Sequence, residues 1–126
     1  MNLVLPNAAT GKRVMILEDD EDLLGLEEMI LMGEGYNVIP FNHYQSPEYM
    51  IDFMPEVILL DVRLGDGYGH LLCKELKDNP NTSNIPVILV SGSTNLEHVA
   101  EEYFADSYLS KPFNINELVD VVKQYD

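Results

Sequence analysis

The chain has 126 residues, 22 of them acidic and 7 basic, for a net charge of −15 at neutral pH; it lacks the clustered lysine and arginine that binding a nucleic-acid backbone requires. Hydrophobic residues make up 46% of it, too many for a disordered polymer, and the length suits one domain with a true core. Its apolar runs are far too short to cross a bilayer, no signal peptide is read at its start, and the single cysteine, Cys73, rules out an internal disulfide and points to a reducing, cytoplasmic setting.

Residues 1–12 show no periodicity and are read as a loose arm, with one domain over 13–126. Val14-Met15-Ile16-Leu17 is a short apolar run of the kind that forms a buried strand. Residues 20–32 place Leu23, Leu26, Glu27 and Ile30 at helical spacing and stop at Gly33-Glu34-Gly35. Residues 36–40 predict a second strand. Ser46-Pro47 opens a short helix, serine as cap and proline at the first position. Residues 56–60 predict a third strand, and the glycine-rich stretch 65–69 leads into a helix with Leu72, Cys73 and Leu76 on one side, ended by Asn79-Pro80. Residues 85–90 predict the fourth strand, 95–104 a short helix and 107–109 the fifth strand. Asn114 and Glu117 then cap a last helix with Leu118, Val121 and Val122 facing inward.

Five βα units of continuously apolar strands and amphipathic helices imply an α/β fold. The sheet is expected to be parallel, doubly wound and covered on both faces, with right-handed crossovers. In such sheets the functional crevice lies at the carboxyl ends of the strands. There the sequence puts Glu18-Asp19-Asp20 after the first strand, Asp61 after the third, Ser91-Gly92 after the fourth and Ser110-Lys111-Pro112 after the fifth.

That set has a chemical logic. Several carboxylates brought together repel one another, and a hard divalent cation such as Mg²⁺ relieves the repulsion through oxygen ligands. A carboxylate is also a nucleophile toward phosphorus. An arriving phosphoryl group needs cationic and hydrogen-bonding partners, which a metal, a lysine and a hydroxyl supply. Each residue singly has a plainer use: Asp19 or Asp20 as a helix cap, Lys-Pro as a turn. It is their convergence on one rim that points to phosphoryl chemistry.

The segments Val14-Met15-Ile16-Leu17-Glu18-Asp19-Asp20, Leu59-Leu60-Asp61, Val90-Ser91-Gly92 and Lys111-Pro112-Phe113 resemble the signature of response-regulator receiver domains over about residues 12–126, in the family's order and spacing. The resemblance implies a flavodoxin-like strand order 2-1-3-4-5 and a phosphorylation-controlled switch rather than an enzyme. It implies Asp61 as the phosphoacceptor and Mg²⁺ as cofactor. Asp19 would be a direct ligand, Glu18 would act largely through water, and the backbone carbonyl of Arg63 would be a further ligand. Ser91 matches the switch hydroxyl, Lys111 the lysine that pairs with the phosphoryl group, Pro112 the usual cis position and Tyr108 the switch aromatic.

The implied partners are a histidine kinase or histidine phosphotransfer protein as donor and a downstream protein as target, with no direct nucleic-acid or membrane contact, the chain being a monomer or weak dimer. Three departures stand out. Leu64-Gly65 replaces the family's usual Leu/Met-Pro, Ser91 replaces the commoner threonine, and the stretch from Ser91 to Lys111 is about two residues short, which shrinks the fourth helix.

Other residues read as structural. His43, His70 and His98 show no metal spacing, the six methionines read as core filler, Cys73 as a packed thiol, and one of Tyr103 and Phe104 as core. An FMN carrier of the same fold would need a phosphate-cradling loop where Glu18-Asp19-Asp20-Glu21 stands. An aspartyl-phosphate hydrolase would need a second acid where Arg63 stands. A receiver-like interaction module that is never phosphorylated is the remaining alternative, opposed by the intact set of Glu18, Asp19, Asp61, Ser91 and Lys111.

Overall fold

The computed structural model describes residues 11–65 and 69–126. Most of the expected arm, residues 1–10, and residues 66–68 of the glycine-rich loop lie outside the described residues.

Alternation of side chains along apolar strands determines how this molecule layers. β1 (Arg13–Leu17), β2 (Asn37–Phe41), β3 (Val57–Asp61), β4 (Val87–Ser91) and β5 (Ser107–Ser110) form one sheet in the order β2-β1-β3-β4-β5, every pair parallel. Successive side chains point to opposite faces. Val14, Ile16, Val57 and Leu59 therefore join one core, with Leu31, Leu118 and Val122 from α1 (Glu21–Gly33) and α5 (Ile115–Lys123). Met15, Leu17, Ile58 and Leu60 join the other, with Met50, Leu72 and Leu96 from α2 (Pro47–Ile51), α3 (Gly69–Asp78) and α4 (Leu96–Glu102). The central strands are apolar throughout because both faces are covered.

Local chemistry sets the helix ends. Asp20 caps α1 by accepting from the Asp22 and Leu23 N–H groups at 3.0 and 3.2 Å. Ser46 caps α2 with Pro47 in the first turn. Asn114 and Glu117 form a reciprocal capping box on α5. α4 has no side-chain cap hydrogen bond and spans only seven residues, shorter than the expected 95–104.

Two expectations are corrected. Of the residues at helical spacing in α1, Glu27 is buried and Ile30 packs against the core, but Leu26 is exposed; Leu24 and Leu31 complete the inward stripe. Of the methionines, Met15 and Met50 are core, but Met29, Met32 and Met54 are exposed and fill nothing.

Candidate functional site

The parallel register brings the strand ends together. Leu17 is level with Leu60, Asp61 with Val90, and Ser91 with Ser110, so the residues that follow share one rim. The Glu18 N–H bonds to the Phe41 carbonyl at 3.0 Å and the Lys111 N–H to the Ser91 carbonyl at 2.8 Å, continuing the ladder past the strands. Glu18, Asp19, Asp61, Arg63, Ser91 and Lys111 line one cleft of about 590 Å³, with Asp20, Gly92 and Ser93 completing its wall.

Asp61 lies at the base of this cleft, buried, with Oδ1 accepting the Arg63 N–H at 3.0 Å and Oδ2 3.5 Å from Lys111 Nζ. Lys111 Nζ is closer to Glu18 Oε1, at 2.9 Å. The Lys111-Pro112 peptide is cis. Ser91 Oγ accepts the Ser93 N–H at 3.1 Å. Tyr108 is part-exposed and level with Leu89 on the neighbouring strand.

Burial governs the electrostatics. It pushes the Glu18 carboxyl up to about 7; the hydrogen-bonded Asp61 carboxyl adds to this, and Lys111 opposes it only in part. Burial acts on Asp19 in the same sense, but hydrogen bonding with Asp61, Glu18 and the Gly65 backbone outweighs it and holds Asp19 below the usual carboxylate range. Burial would lower Lys111, yet the Glu18 and Asp61 carboxylates keep it above the ordinary lysine value. The cleft thus holds an excess of negative charge around one secure cation.

Glu18, Asp19 and Asp61 each offer an oxygen within 4.8 Å of the others. An oxygen-only set at that spacing fits a small hard cation, whose ligands stand about 2.0–2.1 Å from it. Glu18 is itself buried and is the closest ion-pair partner of Lys111.

The structure gives two residues a place at the site that their spacing did not show. A Cβ on Gly69 would stand 1.8 Å from the Asp61 carbonyl oxygen, and the Gly69 N–H bonds to the Val62 carbonyl at 2.7 Å. Only glycine lets α3 start this close behind Asp61. Glu27 is buried, its Oε1 has no hydrogen-bond partner, and burial with the Glu18 charge raises its carboxyl to about 8. His43 and His98 are exposed, while His70 packs edge-on against Tyr103 and so stays structural.

A five-stranded parallel sheet with an acid cluster, a hydroxyl and a lysine on its carboxyl rim is the arrangement that the resemblance to receiver domains implies. The chain belongs to the response regulator receiver domain family, whose model matches residues 14–123.

Among its relatives, the transcriptional regulatory protein CpxR of Klebsiella pneumoniae is 33% identical over 109 residues, 85% of this chain and 46% of its own. The polar-differentiation response regulator DivK of Brucella anthropi is 29% identical over 117 residues, 90% of this chain and 95% of its own. The crystal structure of a CheY-like response regulator receiver domain protein from Methanospirillum hungatei superposes with a TM-score of 0.76 at 25% identity, covering 91% of this chain and 93% of that one. The chain spans about half the length of most of the curated relatives it matches. Among the described residues no helix is long and apolar enough to cross a membrane.

Proposed function

We propose that Asp61 accepts a phosphoryl group and that the change is read around Ser91, Tyr108 and α4. The observation that carries this reading is the position of the buried Asp61 carboxylate, with Lys111 Nζ at 3.5 Å and the Glu18 and Asp19 oxygens within 4.8 Å. An Asp61 oxygen attacks phosphorus, the bond from phosphorus to the donor breaks, and the leaving group carries away the electron pair. The Arg63 N–H fixes the plane of the nucleophile by holding Oδ1. Lys111 is already charged and aimed at Asp61, so it meets the incoming oxygens without reorganisation.

Glu18, Asp19 and Asp61, with the Arg63 carbonyl, would hold Mg²⁺, which supplies positive charge opposite the phosphoryl oxygens when bound. Ser91 borders the same cleft, and its hydroxyl reaches the phosphoryl group once it gives up the Ser93 N–H. Tyr108, on the strand beside it, follows into the space released. This makes the protein a switch that promotes its own phosphorylation rather than an enzyme acting on a separate substrate.

The donor would be a histidine kinase or histidine phosphotransfer protein and the target a downstream protein. With 22 acidic against 7 basic residues, the surface gives DNA no site. The module that is never phosphorylated is disfavoured because the five residues it would not need share one cleft. The test is binding of beryllofluoride with Mg²⁺, followed by melting temperature. Wild type should be stabilised and Asp61→Asn should not; equal shifts in both would contradict the assignment.

A further inference from the structure

α1 carries a glycine that its helix does not need. Gly25 lies inside this 13-residue helix, and glycine is, after proline, the residue least favourable there. Close packing does not require it either: a Cβ placed on Gly25 meets no neighbouring atom of the described residues within 4 Å. At Gly69 a neighbour excludes any side chain, whereas at Gly25 the space is open.

That space belongs to a cavity of about 400 Å³ between α1 and the end of β2. Glu21, Leu24, Gly25 and Glu28 line it from the helix, spaced i, i+3, i+4 and i+7 and therefore on one face. Pro40 lines it from the strand, with Leu24 giving it an apolar wall.

The carboxylates of this cavity are not balanced. Glu21 and Glu28 stand one turn to either side of Gly25, and among the described residues neither has a cation within salt-bridge distance. Glu21 Oε1 accepts Asn42 Nδ2 at 2.7 Å, and Asn42 Oδ1 in turn holds the His43 ring nitrogen at 2.7 Å. The loop after β2 thus fixes the Glu21 carboxylate beside the gap through a neutral donor that leaves its charge in place.

An apolar wall beside two uncompensated carboxylates suits a side chain with a long apolar stem and a cationic head. A guanidinium adds a planar fork of donors that matches a carboxylate. We propose that this cavity takes an arginine side chain of a partner protein, its stem over Leu24 and Pro40 in the space that Gly25 leaves and its guanidinium on Glu28, with Glu21 adding to the negative field. Asp20 walls the Asp61 cleft and Glu21 walls this cavity, so a protein docked here stands beside the cleft.

The experiment is an NMR titration of unphosphorylated wild type, Gly25→Leu and Glu28→Gln with acetyl-arginine methylamide at fixed physiological ionic strength. Mg²⁺ is left out, so the outcome does not depend on whether Asp61 accepts a phosphoryl group. Acetyl-citrulline methylamide, of similar shape but uncharged, is the control. The arginine probe should shift Glu21, Gly25, Glu28 and His43, and the citrulline probe should not. Affinity should fall about fivefold in Glu28→Gln and about tenfold or more in Gly25→Leu, whose side chain fills the gap. Gly25→Leu should melt no lower than wild type. Equal affinity in either variant, or shifts centred on the Asp61 cleft, would reduce the effect to general attraction by an acidic surface and overturn the proposal. Equal shifts with the citrulline probe would remove the charge pairing and overturn it. A lower melting temperature in Gly25→Leu would mean that the fold itself needs the glycine, and would overturn it too.

Discussion

Replacing Glu27 by methionine should make this protein more stable, by an amount that grows with pH. The Glu27 carboxyl is buried on the sheet side of α1, and its Oε1 lacks a hydrogen-bond partner. Burial first, then the Glu18 charge, raises its pKa from 4.5 to about 8, while Lys111 gives partial relief. The folded state therefore holds this proton more tightly than the unfolded chain does. The stability linked to it is fully present below about pH 4.5 and drains away as the pH rises toward 8. At pH 7 the penalty covers the interval from 4.5, and at about 1.4 kcal/mol per unit it amounts to roughly 3 kcal/mol. Methionine is of similar volume and carries no charge to desolvate.

Urea unfolding of wild type and Glu27→Met at pH 5, 6, 7 and 8, without Mg²⁺, measures the difference. Glu18, whose shift has the same sign, is present in both proteins, so only its coupling to Glu27 enters the difference. The difference should widen by about 1.4 kcal/mol per pH unit between pH 5 and 7. A flat difference, or a variant less stable than wild type at pH 7, would refute the reasoning and mean that Glu27 has a partner in solution.

Three further outcomes follow from the same geometry. Mg²⁺ affinity, measured by calorimetry, should rise between pH 6 and 8 with release of protons, because Glu18 at about 7 must lose its proton beside the cation; a pH-independent affinity would remove Glu18 from the site. Gly69→Ala should cost about 1–3 kcal/mol in thermal or urea unfolding, since its Cβ would meet the Asp61 carbonyl oxygen at 1.8 Å; unchanged stability would show that α3 can shift. Ser91→Ala should still be phosphorylated but lose most of the NMR response at Tyr108, as one charge-assisted hydrogen bond, worth about 1.5–3 kcal/mol, is what biases the switch; an unaltered Tyr108 response would route the signal elsewhere.

The rim was readable because its chemistry follows the strands directly in sequence. Once Val57 to Leu60 is read as a covered parallel strand, Asp61 has to stand at its carboxyl end, and the same holds for Glu18, Ser91 and Lys111. What sequence left open is what tertiary packing decides. The spacing of α1 points to Leu23, Leu26, Glu27 and Ile30, and only the sheet decides which of these lie inward, burying Glu27, packing Ile30 beside Leu24 and Leu31, and leaving Leu26 exposed. Gly69 looks like any loop glycine until α3 is placed against Asp61. The methionines, adaptable in cores and tolerated outside them, carry no periodic signal strong enough to separate Met15 from Met29. Phe104 contradicts its local backbone preference outright, which is why a helix through 104 was expected where α4 ends at Glu102.

The central claim is that Asp61 is the nucleophile. Its most direct test is to incubate the protein with acetyl phosphate and Mg²⁺, reduce the acyl phosphate with tritiated borohydride, which releases the phosphate and leaves a labelled alcohol on the residue, and map that residue by peptide mass spectrometry. The account predicts label on Asp61 alone, dependent on Mg²⁺ and absent from Asp61→Asn. Label on Asp19 or Glu18, or full labelling of Asp61→Asn, would contradict it.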